Sequence, residues 1–300
     1  MALEDIDEVA ALFRRRDEAL GLHPEPVQSF LGWVLQLPFV RLERDTAVVE
    51  RDGAIVATLT SHRDPTSPGA ALSSEAAVDP AMRDLGLGTW LVDRLDTLVA
   101  EHADELPFAL RALAPSVDTA AGELLASRGF ALVRVSHEMA IELGTVPRTL
   151  APPPGATLRT FEEGRDERTV WAIHETAFVD HFGFTPTPYE SWAAAWYDAD
   201  DWDPTRVVLA EIDGGAVGHI AWVDADPDGY IIDVSVLPPF RGRGIAKALL
   251  ARAFGDIAEA GKERATLTVD AENTTGAVGL YEAVGMLPYR AWHVFERAAR

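Results

Sequence analysis

Val234-Ser235-Val236 is followed, after Leu237-Pro-Pro-Phe240, by the turn Arg241-Gly242-Arg243-Gly244-Ile245-Ala246-Lys247 and a helical pattern from Ala246 to Ala258. A strand feeding a glycine-rich turn that opens a helix aims several backbone N–H groups, and the positive end of the helix dipole, at one point. The guest such a point suits is a phosphate, and the side chains of Arg241, Arg243 and Lys247 could offset its charge. The arrangement also occurs earlier in the chain. There a strand carrying Ala76 and Val78 leads to Arg83-Asp-Leu-Gly86-Leu-Gly88 and then to a helix from Trp90 to Ala100. One offset of 158 positions carries Arg83 onto Arg241, Pro80 onto Pro238 and Leu91 onto Leu249, so a unit of about half the chain is repeated. One such turn alone could be no more than the usual preference of turns for glycine. Two at a constant offset argue for one fold used twice. In the first copy Asp84 stands where the second has Gly242, which sets a carboxylate against any phosphate there or turns it away.

A dinucleotide fingerprint needs a third small residue where the copies have Lys247 and Leu91. No stretch ends in the Gly-Lys-Ser/Thr of a triphosphatase phosphate loop. The remaining pattern, Arg/Gln-x-x-Gly-x-Gly/Ala after a Val-x-Val strand, resembles the GNAT superfamily of acetyl-CoA-dependent N-acetyltransferases in both halves. A second motif supports the resemblance. Asp270-Ala-Glu-Asn273-Thr-Thr-Gly-Ala277-Val-Gly-Leu280-Tyr281-Glu-Ala-Val-Gly285-Met286 is similar to the superfamily's Asn-x-x-Ala-x-x-Leu-Tyr-x-x-x-Gly-Phe, with one extra residue before Leu-Tyr.

The resemblance implies that the N–H groups of 241–246 hold the pyrophosphate of acetyl-CoA, and that the strand Val234-Ser235-Val236 offers main-chain groups to the pantetheine and thioester. It also implies that Asn273 contacts the coenzyme and that Tyr281 is the general acid for the leaving thiolate. The residues alone leave alternatives open: Tyr281 could be a core tyrosine, and Asn273 a helix cap. In the first half Leu125 stands where the second has Tyr281. That half therefore lacks the acid, although its turn, with Ala76, Val78, Arg83, Gly86 and Gly88, could still hold a coenzyme.

The general base is less legible. Many family members carry Glu six residues before the second valine of the strand, and here that position is Tyr230. Asp233 and His219 are candidates, but Asp233 alternates to the opposite face from Val234 and Val236 unless a bulge intervenes. A water chain is the third possibility. Acceptor binding falls to the segment Thr176 to Trp196, whose His181, Phe182, Phe184, Tyr189, Trp192 and Trp196 could line a pocket or fill a core.

These residues need elements to position them. The 300 residues, 48% of them hydrophobic, suffice for two cores of about 140 residues each. Strands and helices mix in both halves, giving the α/β or α+β class. The expected fold is a tandem repeat of two GNAT-like domains, each a mixed twisted sheet flanked by helices. Residues 1–143 form the degenerate N-terminal domain, which starts too late for a first strand; 144–156, with Pro147 and Pro152-Pro-Pro154-Gly155, form a stiff linker; and 157–300 form the catalytic domain. A net charge of −22 argues against nucleic acid and suits a cationic amine, although an acidic surface also serves solubility. No cysteine is present, so neither a thiolate nor a disulfide enters, and the eight histidines show no metal-ligand spacing. Without a long apolar run or an apolar leader the chain is expected in the cytoplasm, off the membrane, as a monomer or homodimer. The expected function is acetyl transfer from acetyl-CoA to a primary amine of a small molecule, without a metal. The tandem layout with an inactive first half also resembles mycothiol synthase, which acts on a cysteinyl amine. A non-catalytic acetyl-CoA sensor is the alternative of another class, and retention of Tyr281 and Asn273 speaks against it.

Overall fold

The computed structural model describes residues 1–23, 34, 35, 37, 39–63, 70–102, 107–145, 150–197, 202–273 and 275–299. Pro147 of the expected linker lies outside them. Two compact units result, Met1–Ser136 with Arg290–Arg300 and His137–Tyr289.

The first unit opens with helix α1 (Ile6–Ala19), and no strand precedes it among the described residues. A one-turn helix α2 (Leu42–Asp45) leads to strands β1 (Thr46–Arg51), β2 (Ala54–His62) and β3 (Leu72–Val78), then helix α3 (Leu87–Glu101), strand β4 (Ala109–Pro115), helix α4 (Thr119–Ser127) and strand β5 (Ala131–Glu142). The β1–β2 turn has Asp52 at φ 54° and Gly53 at φ 79°, the pair of left-handed residues that matches the twist of a tight hairpin. β1, β2 and β3 run antiparallel, and β4 adds parallel to β3. The apolar stripe of α1 packs Val9, Leu12 and Phe13 against Ile55 and Ala77. α3 packs Leu91, Leu95 and Leu98 into a second cluster with Leu59, Leu110 and Phe130.

The second unit begins with β6 (Ala156–Thr160), helices α5 (Glu167–Phe178) and α6 (Tyr189–Tyr197), and strands β7 (Val207–Ile212), β8 (Gly215–Ala225) and β9 (Asp228–Val236). Helix α7 (Ile245–Glu259), strand β10 (Arg264–Asp270), the short helix α8 (Ala277–Glu282) and strand β11 (Leu287–Ala298) follow. β6 to β9 form an antiparallel meander, with β10 parallel to β9. α7 buries Ile245, Leu249, Phe254 and Ile257 with Ile220, Ile231 and Leu267, whereas Val170 of α5 and Trp192 of α6 join a cluster with Leu209 and Ala221.

The compact units do not follow the linear division expected at 143 and 157. β11 pairs antiparallel with β4, from Trp292 opposite Pro115 to Ala298 opposite Ala109, and places Phe295 in the first unit's core. The second half of β5, from His137, belongs to the second unit, where Met139 and Ile141 are core residues. Each unit is thus closed by a strand from the other half of the sequence.

A buried ion cluster in the first unit holds β11 in place. Arg290 Nη2 donates to Asp17 Oδ2 at 2.8 Å and also to the His23 carbonyl. Arg16 Nη2 donates to the other oxygen, Asp17 Oδ1, at 2.8 Å, and both guanidinium groups lie over the Trp292 ring. Removing one member of a buried pair typically costs about 3–5 kcal/mol, because the remaining charge is left in a low-dielectric interior. Asp17→Ala is therefore expected to lose about that much in a urea titration, and a loss below about 1 kcal/mol would show that the cluster does not hold the strand.

The two copies of the strand before the glycine turn differ in one respect that matters for a site. β9 carries a bulge: Ala221 pairs with Asp233 and Trp222 with Ile231, leaving Ile232 without a partner. A bulge bends its strand. β9 accordingly pairs with β10 only at Gly229 and Tyr230, six residues short of Val236. β3 has no register shift against β2 and stays paired with β4 as far as Glu75, three residues short of Val78.

Candidate active site

The splay of β9 from β10 opens a cleft of about 450 Å³ within the second unit. Its walls are residues 231–234 and Val236 of β9, Arg241, Gly242 and residues 244–247 of the turn, the end of β10, and Asn273, residues 275–277, 279–281 and Ala283 around α8. Four consecutive residues of one strand can line one cleft because the bulge interrupts their alternation. The bulge also brings Asp233 to the wall together with Val234 and Val236.

Gly242 (φ 74°) and Gly244 (φ 85°) hold the left-handed backbone that turns the chain into α7, which few other residues adopt without strain. A Cβ at either would stand in open space, as it would at Gly276 and Gly279 across the cleft. The first turn of α7 has N–H groups without intrahelical acceptors, and the glycines leave them approachable. The residues present therefore fit a coenzyme pyrophosphate, bound by main chain at a helix N-terminus.

The side chains expected around that phosphate divide. Lys247 lines the cleft. Arg241 does too, but its guanidinium is committed to main chain: Nε donates to the Val236 carbonyl at 3.0 Å and Nη2 to the Ala177 carbonyl at 2.9 Å. Arg241 thus straps the end of α5 to the end of β9 while keeping its charge at the cleft wall. Arg243 donates to the Pro239 carbonyl and stacks over Phe240, outside the cleft wall. Ile245 and Ala246 lie at the wall. Ser235 does not; its side chain is buried and donates to Asp233 Oδ1 at 2.6 Å.

Tyr281 lines the cleft from α8, nearly buried. Burial, then the charge of Asp233, pushes its phenol well above the ordinary value, so it carries its proton at neutral pH. Asn273 does not cap α8, whose N-cap is Gly276. Its Oδ1 accepts from the Thr275 N–H at 2.7 Å and from the Thr275 hydroxyl, bracing the turn before α8, while the residue remains part of the cleft wall. Tyr230, in the position of the family glutamate, donates to Thr268 Oγ1 and lies outside the wall.

Asp233 and His219 belong to one buried network whose third member is His174 of α5. His174 Nδ1 lies 2.6 Å from Asp233 Oδ2, and His219 Nε2 lies 3.1 Å from the same oxygen. Burial alone would raise the Asp233 carboxyl, but the charges of His219 and His174 and the hydrogen bond of His174 hold it far below the usual carboxylate range. His174 is raised: burial opposes its charged form, and the hydrogen bond and charge of Asp233 outweigh it. His219 is fully enclosed, whereas the His174 ring keeps 21% of its surface exposed. The signal that could have found His174 is a titratable ring on a buried helix face, which needs a polar partner.

The aromatic segment after α5 splits between core and cleft. Trp192 and Trp196 stack on each other and pack with Phe161, Tyr197 and Trp202 as core. Phe178 and His181 reach the cleft wall, and the Trp171 indole donates to the Thr187 carbonyl, fixing the loop's far end. His181 is lowered by burial and by the charge of Arg241.

In the first unit the corresponding turn keeps its backbone, with Asp84 at φ 63° and Gly86 at φ 82°, yet its surroundings differ. Arg83 faces Asp118, a Cβ on Gly88 would meet Leu124 at 3.2 Å, and Leu125 is buried in the core with Ala76 and Val78 packed against it. These five expected coenzyme residues, Ala76, Val78, Arg83, Gly86 and Gly88, contribute nothing to the cleft described above.

The Acetyltransferase (GNAT) family profile matches residues 169–286. A mycothiol acetyltransferase of Thermomonospora curvata is 31% identical over 287 residues, 95% of this chain and 91% of the relative. A crystal structure of a GCN5-related N-acetyltransferase from Sphaerobacter thermophilus superposes with a TM-score of 0.85 at 29% identity, covering 100% of this chain and 94% of that one. A tandem GNAT protein from the clavulanic acid biosynthesis pathway shares the fold with a TM-score of 0.70 at 16% identity, over 100% and 97% of the two chains. With similarity spanning both halves, the chain belongs to the GNAT family of acetyl-CoA-dependent N-acetyltransferases, in its tandem form.

Proposed function

We propose that the second unit transfers acetyl from acetyl-CoA to the cysteinyl amine of a mycothiol precursor, and that the first unit is structural. The observation that carries the acceptor is the identity to mycothiol acetyltransferase across nearly the whole of both chains. The cleft is consistent with a cationic acceptor, since Asp233 and Asp270 stand in its wall. In this reading the N–H groups of 242–246 and the Lys247 side chain bind the pyrophosphate, and the main chain of Val234 and Val236 aligns the pantetheine. Acetyl-CoA supplies the acetyl group as a thioester. Tyr281 Oη, protonated at neutral pH, gives its proton to the departing sulfur.

A turnover screen over amines, amino acids and a cysteinyl-amine compound of the mycothiol-precursor type, corrected for acetyl-CoA hydrolysis, tests the acceptor. The cysteinyl compound is expected to give the highest kcat/KM; a simple amine or amino acid that exceeds it would redirect the assignment.

The pairing of β3 with β4 to within three residues of Val78, and Leu124 close over Gly88, support a first unit without a comparable splay among the described residues. Calorimetry is expected to find one acetyl-CoA per chain, and an Arg83→Ala, Gly86→Val double variant is expected to keep its turnover. A second equivalent that disappears in that variant would show the first turn to be a working site.

A further inference from the structure

We propose that His174 is the proton acceptor of the transfer, held in its working tautomer by Asp233, an inference that rests on the N-acetyltransferase reading above. The family glutamate position is Tyr230, so the acceptor amine needs another group to take its proton. Asp233 stands in the cleft wall, but its oxygens are engaged by His174, His219 and Ser235, and a carboxylate so stabilised is a poor base. His219 is fully enclosed and cannot meet a substrate.

His174 differs from both. Its Nδ1 donates to Asp233, which leaves Nε2 with the lone pair. Its partly exposed ring stands one layer behind the cleft wall, stacked at 4.5 Å on Phe178, which forms that wall with His181 and Asp233. The titratable and charged groups around it are Asp233 from β9, His219 from β8 behind that carboxylate, Glu175 on its own helix and His181 on the next loop. A carboxylate that fixes an imidazole's tautomer and stabilises its protonated form is the arrangement by which histidine bases are generally made effective.

His174 Nε2 takes the proton that the acceptor nitrogen loses as its lone pair forms the new N–C bond. Tyr281 Oη gives one to the sulfur that leaves with the C–S electron pair. One proton passed from His174 to Tyr281 through solvent restores both side chains. Because Asp233 raises His174, the neutral base form is lost below a midpoint higher than that of an ordinary imidazole. The acid limb of kcat/KM should therefore lie above the ordinary histidine value, and rate should rise with pH through it. Were His181 the base, its lowered pKa would put that limb below the ordinary value.

The test uses the full chain, with S-methylcysteinamide as an acceptor whose thiol is blocked. His174→Gln is expected to lower kcat/KM on the order of 10²-fold and abolish the limb, while acetyl-CoA affinity by calorimetry stays within about twofold. Asp233→Asn should move the limb to lower pH. An arm needing neither turnover nor a stable Asp233 variant is NMR titration of the imidazole Cε1–H signals, assigned with His174→Gln: the His174 signal is expected to titrate above the ordinary value. Titration of that signal at or below the ordinary value would overturn the proposal, as would a limb that persists in His174→Gln or disappears in His181→Gln. Failure of the reading beneath it would look different, with no acetyl-CoA binding or turnover in the parent chain.

Discussion

Tyr281→Phe is expected to lower kcat by about 10²- to 10⁴-fold, or roughly 3 to 5 kcal/mol of transition-state stabilisation, with little change in the acetyl-CoA dissociation constant. The hydroxyl acts only as negative charge develops on sulfur, so its removal falls on kcat, not on ground-state binding. The environment supports this division. Tyr281 is nearly buried beside Asp233, and both burial and that charge keep the phenol protonated until a thiolate demands the proton. A residue of the core alone would behave otherwise: phenylalanine would keep its packing, and the change would be read in stability at about 1 kcal/mol. The measurement is kcat at saturating acceptor, with a solvent isotope effect to show that proton transfer limits the rate. A kcat within about twofold of the parent under that condition would leave Tyr281 a packing residue.

The second large effect is on binding. Gly244→Val is expected to weaken acetyl-CoA by about 10²- to 10⁴-fold while the chain remains folded. The estimate assumes that about two charge-assisted hydrogen bonds, each worth roughly 1.5–3 kcal/mol, are lost when the pyrophosphate can no longer approach the main chain. The protein itself tolerates the added atoms, since a Cβ at Gly244 meets none of its own. The backbone does not tolerate them freely: φ of 85° costs a β-branched residue on the order of 1–2 kcal/mol. A thermal melt therefore accompanies the calorimetry, to separate a weakened fold from a blocked cradle. Undiminished affinity in a folded Gly244→Val would remove the turn from the coenzyme site. Arg241→Ala should act differently, through the shape of the cleft, because its guanidinium binds the Val236 and Ala177 carbonyls.

The cradle was legible because it is local. Glycine spacing, the strand before it and the helix after it lie within about 25 contiguous residues, and backbone chemistry there depends on neighbours in sequence. The α8 motif was legible for the same reason, and the 158-residue offset displayed the repeat without any knowledge of contacts. Three matters were decided only in three dimensions. The exchange of closing strands was invisible because each meets a neighbour of the kind its own half would offer, so the pattern of alternation is the same whichever sheet it joins; the Arg16–Asp17–Arg290 cluster that marks the choice joins residues 273 positions apart. The bulge at Ile232 leaves no local signature, yet it opens β9 from β10 and brings Asp233 to the cleft while β3 stays paired. Lastly, the proton network joins His174, His219 and Asp233 from three elements. In the sequence His174 is one position on an apolar helical stripe; only burial beside a carboxylate, where neither group can stay unpaired at low cost, turns it into a titrating group of the site.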